Sequence, residues 1–245
     1  CWASIFSGTS VTSHGVVNNK MLEQGPIKWK VENVFASLQA LGRRTEAFVS
    51  SWQGVANLLH EHVHTLETFM DSSDVKENDR LAADAALQSL SGSDVTMLYL
   101  NYADEMGHNH GFGPQCPRYL EALAVVDQLL GPILEAAVTQ GIAVVVTTDH
   151  GGTHRSSMPP EMVEGFFKQE WCKGQTCDEG LHGMPDEGGN ALLPHWLTFQ
   201  MYYSPSNAKG REILPCPTSL EVAKRVLQLA NHGVTGLAMP SPTKK

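Results

Sequence analysis

Two short stretches of the sequence combine carboxylates with imidazoles at close spacing. Asp104 and His108 are separated by three residues, and Asp149 stands directly before His150. Carboxylate and imidazole groups are the protein ligands that suit zinc and related divalent ions. Glycine follows His150 directly and precedes His108, and glycines let the backbone turn tightly and come close to a bound ion. The residue types therefore predict a metal site built from both stretches.

Each stretch follows a short apolar run of the kind that forms a buried parallel strand. Residues 95–100 lead to the first stretch, and residues 142–148 lead to the second. Ligands of parallel sheets bind at the carboxyl ends of the strands. We therefore expect the two Asp and His pairs to lie at one edge of a sheet.

The remainder of the chain alternates between strand-like and helix-like patterns. Residues 44–50 and 194–201 are predicted to be further strands. Helices are predicted at 2–7, 29–41, 52–64, 76–91, 117–140 and 219–231. This alternation predicts an α/β fold with a mostly parallel sheet and helices on both of its faces. We expect residues 1–245 to form a single domain, with a lid-like insertion at about 153–190, where Gly, Pro, Met and charged residues are frequent.

An ordered set of motifs resembles the alkaline phosphatase superfamily. Within it, the sequence is most similar to the type I phosphodiesterases/nucleotide pyrophosphatases and the related phosphonoacetate hydrolases. The motifs are Ser4-Ile-Phe-Ser-Gly8, His14-Gly-Val-Val-Asn-Asn19, Arg43 to Trp52, Asp104-x-x-Gly-His108, Asp149-His150-Gly-Gly and His182-Gly183. Each motif alone is weak, but together they span most of the chain.

The resemblance implies a hydrolase with two divalent metal ions, of which zinc is the expected kind. Asp104, His108 and His182 would hold the first ion, while Asp149 and His150 would hold the second. His154 is a nearer alternative to His182 as the third ligand of the first ion.

The same resemblance implies a substrate contact and a nucleophile. Asn19 matches a position that supplies an amide donor to a phosphoryl oxygen. The Thr or Ser nucleophile stands three residues before the position of Cys1, and a further metal-binding Asp and the first strand stand earlier still. On this basis we expect an N-terminally incomplete catalytic domain that turns over poorly. Ser4, Ser7 and Thr9 are expected to serve packing or capping.

A competing motif predicts a different class of enzyme. His60-Glu61-His62-Val63-His64 matches the His-Glu-x-x-His pattern of zinc metalloproteases, in which two imidazoles on one helix face hold the ion and the Glu is the general base. Glu77 is the best candidate for a third ligand, although it stands in a charged stretch. A third possibility is a catalytically inactive member of the same fold.

Composition limits the class of partner. The 245 residues include 17 Lys or Arg and 26 Asp or Glu, for a net charge of −9, which argues against a binder of nucleic-acid polymers. An unbroken apolar run of the length that spans a membrane is absent from the sequence. We expect a small-molecule substrate: a phosphodiester, a nucleotide pyrophosphate or a phosphonate. The sequence does not indicate a cellular compartment.

Overall fold

A computed structural model places a three-stranded parallel sheet at the centre of the molecule. The strands are β1 (Thr45–Ser50), β2 (Thr65–Phe69) and β3 (Val95–Tyr99), in the order β2-β1-β3. All six residues of β1 are buried, as expected of a strand with neighbours on both sides. The structure describes residues 2–154, 180–181, 199–205 and 220–231.

The other elements of the described residues surround this sheet. Two further strand pairs are antiparallel: β4 (Val144–Thr147) with β7 (Gln200–Tyr203), and β5 (Thr153–His154) with β6 (Gly180–Leu181). The helices are α1 (Trp2–Ser7), α2 (Val11–His14), α3 (Asn19–Glu23), α4 (Val34–Ala40), α5 (Gln53–Leu59), α6 (Val75–Ser89), α7 (Tyr102–His110), α8 (Pro117–Gln140) and α9 (Glu221–Asn231).

Alternate residues of β1 face two different hydrophobic layers. Ala47 and Val49 belong to the core that α1, α4 and α5 share, whereas Phe48 packs with Ala82 and Ala86 of α6. This two-residue period is the pattern of a strand buried on both faces. The predicted α/β fold, with helices on both faces of a parallel sheet, is confirmed.

The strand order creates a crevice next to the predicted metal ligands. The chain passes from β1 to β2 through α5 on one face, and from β2 to β3 through α6 on the opposite face. Because β1 and β3 are neighbours, their carboxyl ends border a topological switch point, where α/β proteins bind ligands. Asp104 follows β3 at this crevice.

Two local predictions were wrong. The helix predicted at 52–64 ends at Leu59, and β2 follows, because the backbone N–H of His64 donates to the Thr45 carbonyl and starts the pairing with β1. The strand predicted at 142–148 is shorter, and its observed partner is the antiparallel β7 rather than the parallel sheet. The predicted strand at 194–201 overlaps β7 only at its last residues; 194–198 lie outside the described residues.

α8 is the one described helix that is long and apolar enough to cross a membrane by length and composition. The sequence contains no unbroken apolar run here, because Arg118, Glu121, Asp127 and Glu135 interrupt the pattern. The helix packs against α6 and α7. A single helix of this kind is weak evidence for a membrane span.

A buried histidine fastens α1 to the loop that leads to α3. His14 is 2% exposed, and its Nδ1 accepts the backbone N–H of Val16 at 3.1 Å. The proton of the neutral ring is therefore on Nε2, which lies 2.9 Å from Ser4 Oγ and donates to it. In this tautomer His14 cannot accept a proton from Ser4. The His14–Ser4 pair is therefore structural. The Ser7 hydroxyl donates to the Ala3 carbonyl within α1, so it also has a structural role.

An aromatic ring holds α7 against the loop that follows β4. Phe112 is 5% exposed, and a Cβ built on either Gly107 or Gly152 would overlap its ring. The His108 ring contacts the same phenyl group edge-on, with centroids 5.6 Å apart. Phe112 thus lies between the Asp104–His108 helix and the Asp149–His150 loop, and it fixes their spacing.

The buried His14 makes stability depend on pH. Burial lowers the pKa of its imidazole below the ordinary value of 6.5, so the unfolded chain takes up a proton that the folded chain resists. The contribution is fully present above pH 6.5 and is lost as the pH falls below it. Urea unfolding between pH 7.5 and 5.5 should therefore show a steeper loss of stability in the wild type than in H14Q. The exposed His60 gives the control H60Q, and equal slopes for H14Q and the wild type would contradict the assignment.

The packing of Phe112 predicts unequal effects for two helical Gly to Ala substitutions. G107A should destabilise the protein by about 1–3 kcal/mol through overlap with the Phe112 ring. G131A, in α8, meets nothing within 4 Å beyond its chain neighbours. Because Gly131 directly precedes Pro132, whose ring opposes a Cβ at that position, the gain in helix propensity is offset, and stability should change by less than about 1 kcal/mol. Denaturant unfolding measures both. A loss of stability in G107A no greater than that in G131A would contradict the described contact.

Candidate metal and substrate site

The first Asp and His pair occupies one face of α7. Asp104 lies in the first turn of this helix and His108 in the last. A spacing of four residues places them on the same side of a helix, and Asp104 Oδ2 lies 3.5 Å from His108 Nε2. Both side chains are about one-third exposed, at 33% and 28%, which leaves them within reach of a ligand.

The second pair meets the first across the crevice. Asp149 and His150 follow β4, and His150 Nε2 lies 3.5 Å from Asp149 Oδ2. The same nitrogen lies 3.9 Å from Asp104 Oδ1. Asp104 therefore faces His108 with one oxygen and His150 with the other. The structure brings four of the five predicted metal ligands together, although they come from positions about 45 residues apart.

Hydrogen bonding fixes how His150 presents its ring. Its Nδ1 lies 3.1 Å from the Gly151 carbonyl, which can only accept, so Nδ1 carries the proton. In the neutral ring the lone pair is then on Nε2, the atom that faces the two carboxylates. Two ligands of a tetrahedral zinc ion are about 3.3 Å apart at ordinary Zn–N and Zn–O distances. The observed separations of 3.5–3.9 Å are close to that spacing.

The four Asp and His side chains lie near one another without enclosing a coordination site. Within the part of the chain that the structure describes, no three Asp, Glu, His or Cys side chains already surround a common point. His182, the predicted third ligand of the first ion, lies outside the described residues. Its alternative, His154, is in β5, and its ring lies against Gly111, just after α7.

Negative charge is concentrated beside this cluster. Burial raises the pKa of Asp149, and the nearby Asp104 raises it further, whereas His150 lowers it. Burial also raises the pKa of Tyr99 well above its usual range, with added effects from the Asp149, Asp104 and Asp79 carboxylates. Tyr99 therefore stays protonated, and its hydroxyl donates to Asn101 Oδ1 at 2.7 Å. A cation at the cluster would offset these carboxylate charges.

Asn19 is exposed at the start of α3 and lines the same cleft as Asp104 and Asp149. The neighbouring Asn18 caps α3 by accepting the backbone N–H of Met21. Asn57 Nδ2 donates to the Leu22 carbonyl at 2.6 Å and ties α3 to α5. A short, anchored helix thus presents Asn19 to the cleft.

The competing histidine motif lacks its helix. α5 ends at Leu59, so His60 and His64 do not share a helix face. His64 Nδ1 instead lies 3.0 Å from Thr45 Oγ1 and accepts the Thr45 backbone N–H at 3.1 Å. The proposed third ligand, Glu77, pairs with Arg80. The geometry required of a His-Glu-x-x-His metalloprotease is not present in these described residues.

Several residues at the crevice were missed by the sequence analysis. Ser51, directly after β1, has a φ of 54°, the left-handed region that non-glycine residues rarely adopt. The rings of Trp2 and Tyr99 meet edge-on, 5.3 Å apart, which places the start of α1 beside the end of β3. Asp79 is fully buried beneath this region. The sequence assigns no role to these residues, because their roles depend on contacts between distant segments.

Comparisons with known proteins agree with this architecture. The family model described as "Type I phosphodiesterase / nucleotide pyrophosphatase" matches residues 1–180. The ectonucleotide pyrophosphatase/phosphodiesterase family member 7 of Rattus norvegicus is 20% identical over 77% of this chain and 49% of its own length. The 2,3-bisphosphoglycerate-independent phosphoglycerate mutase of Halobacterium salinarum is 33% identical over 38% of this chain and 20% of its own length.

A solved structure shows the same fold. Leishmania mexicana phosphoglycerate mutase superposes with a TM-score of 0.54 over 87% of this chain and 38% of its own, at 17% identity. The chain spans between about a fifth and a half of the length of the curated relatives named above. Since the family model covers well over half of the 245 residues, the chain belongs to the type I phosphodiesterase/nucleotide pyrophosphatase family, within the alkaline phosphatase superfamily.

Proposed function

We propose that this protein is a metal-dependent hydrolase of phosphoesters, acting on phosphodiester or nucleotide pyrophosphate bonds, or on phosphonates. One observation carries the proposal. Asp104, His108, Asp149 and His150 converge at the carboxyl ends of strands, in a chain of the phosphodiesterase family. The name of the rat relative, a nucleotide pyrophosphatase/phosphodiesterase, supports this class of substrate.

Two divalent cations, which we take to be zinc, fit the donor set. Asp104 and His108, with His182, would hold the first, and Asp149 and His150 would hold the second. Carboxylates and neutral imidazoles are ligands of zinc, and the His150 tautomer presents Nε2 for this purpose. Two such ions supply electrostatic stabilisation of the charge that develops on the attacking and leaving oxygens of a phosphoryl group.

The protein's own groups would orient the substrate. The Asn19 amide would donate a hydrogen bond to a phosphoryl oxygen, the role of an oxyanion-hole donor. We assign the nucleophile to a Thr or Ser upstream of residue 1. Attack by its oxygen on phosphorus would break the bond to the leaving group, which departs with a proton, and would form a covalent phospho-enzyme that water then hydrolyses.

The proposed partner is a small molecule. Acidic side chains border the cleft, and an acidic protein that handles phosphates needs cations to offset the substrate's charge. The same acidity disfavours binding to nucleic-acid polymers. The proposal does not include a membrane-spanning segment. An inactive member of the family remains the alternative, and the activity measurement below distinguishes it.

Zinc binding tests the proposed site directly. After dialysis against buffered zinc, the wild-type chain should retain two ions, whereas D149N should bind the second at least about 100-fold more weakly, since it loses a carboxylate ligand of that ion. H60A is the matched control and should bind like the wild type. Zinc content is measured by mass spectrometry of the metal. Loss of zinc from H60A with retention by D149N would contradict the proposal and favour the metalloprotease alternative.

Hydrolysis of bis(p-nitrophenyl) phosphate is measured on the same three proteins. We expect slow, zinc-dependent turnover that D149N abolishes and H60A retains, because the nucleophile is assigned upstream of residue 1. Full phosphodiesterase turnover by the 245-residue chain would contradict that assignment. No zinc-dependent turnover, even in a chain extended upstream to include the nucleophile, would favour the inactive alternative.

A further inference from the structure

A buried carboxylate on α6 holds the start of the ligand-bearing helix. Asp79 is 0% exposed. Its Oδ1 accepts the backbone N–H of Asn101, and its Oδ2 accepts that of Tyr102, both at 2.9 Å. These two donors lead from β3 into α7 and belong to the N–H groups that a helix leaves unsatisfied at its start. A carboxylate is favoured there, because the N-terminus of a helix carries partial positive charge.

The residues of α6 around Asp79 fasten both strands that border the crevice. Asn78 Nδ2 donates to Ser51 Oγ at 3.0 Å, directly after β1. Asp79 accepts the backbone N–H groups of the two residues that open α7 after β3. Adjacent residues of one helix thus hold the carboxyl ends of β1 and β3 at the switch point. This double attachment leaves little freedom in where α7 begins.

The hydrogen bonds from Asp79 lie close enough to Asp104 in the chain to affect the position of its side chain. Asn101 and Tyr102 precede Asp104 by three and two residues, less than one helical turn. Asp104 in turn faces both His108 and His150. A shift of the first turn of α7 would therefore change the separations between Asp104 and both imidazoles at once.

We propose that Asp79 is a positioning residue, which sets the orientation of Asp104 and His108 through its two hydrogen bonds to the start of α7. The inference rests on the proposed function, since it concerns the affinity of that metal site. The two hydrogen bonds of Asp79 go to the backbone at the start of α7. Groups that orient metal ligands from outside the coordination shell typically change metal affinity 10- to 100-fold when they are removed.

D79N tests the role with little change in volume. The amide keeps one acceptor oxygen but turns an N–H₂ donor toward a backbone N–H donor, so one of the two contacts is lost. We expect zinc affinity, measured by competition with a chromophoric chelator, to fall about 10-fold or more. Hydrogen exchange at the amides of Asn101 and Tyr102 should become faster, and that readout needs no metal.

Two control variants distinguish a positioning role of Asp79 from the loss of its negative charge and from a general loss of protein stability. D84N removes the same charge from the same helix at an exposed site that pairs with Arg80. N33A removes a buried side chain that accepts two backbone N–H groups at the start of another helix, α4. Both should bind zinc like the wild type, even though N33A loses stability.

Failure of the proposed role of Asp79 and failure of the proposed function would give different zinc-binding results. Wild-type zinc affinity in a folded D79N, or an equal loss in N33A, would overturn the role of Asp79 and leave the proposed function standing. A wild-type chain that takes up no zinc would overturn the proposed function itself. If D79N does not fold, hydrogen exchange of the wild-type chain is the second test: zinc should slow exchange at the Asn101 and Tyr102 amides, because the metal site and these two hydrogen bonds are coupled. Exchange that zinc leaves unchanged would then overturn the inference.

Discussion

The contact of Phe112 with two glycines is the constraint on which the site depends. The ring fills the space beside Gly107 on α7 and beside Gly152 in the loop after β4, and neither position can carry a Cβ without moving it. One side chain therefore sets the distance between two segments that are not hydrogen-bonded in a common sheet among the described strands. The 3.9 Å separation between Asp104 Oδ1 and His150 Nε2, which joins the two segments, follows from this packing.

Much of the fold, and the approach of four candidate ligand side chains to one crevice, could be predicted from the sequence, since local patterns determine the strands that precede them. The apolar runs predicted β1 and β3, and glycine marked the ends of α1 and α8. Because parallel strands align their carboxyl ends, Asp104 and His108 could be placed at the crevice from the sequence alone. Asp149 and His150 reach the same place by another route, since β4 pairs with β7 in an antiparallel sheet.

The failures have a common physical origin in contacts between distant segments. β2 alternates polar and apolar residues at a sheet edge, and its pairing with β1 overrides the helical pattern that precedes it. His64 resembles a metal ligand in the sequence but binds Thr45 across that pairing. Asp79 stands among the charged residues of α6, a pattern typical of a solvated helix face, yet tertiary packing buries it completely.

A divalent cation held by the carboxylates and imidazoles around Asp104 would offset the concentrated negative charge beside Tyr99. Anomalous scattering at the zinc edge, from crystals of the chain grown with zinc, is the decisive measurement. We expect an anomalous peak within coordination distance of Asp149 and His150, next to Asp104. A peak at His60 and His64, with none at the Asp149 and His150 pair, would contradict the proposed site.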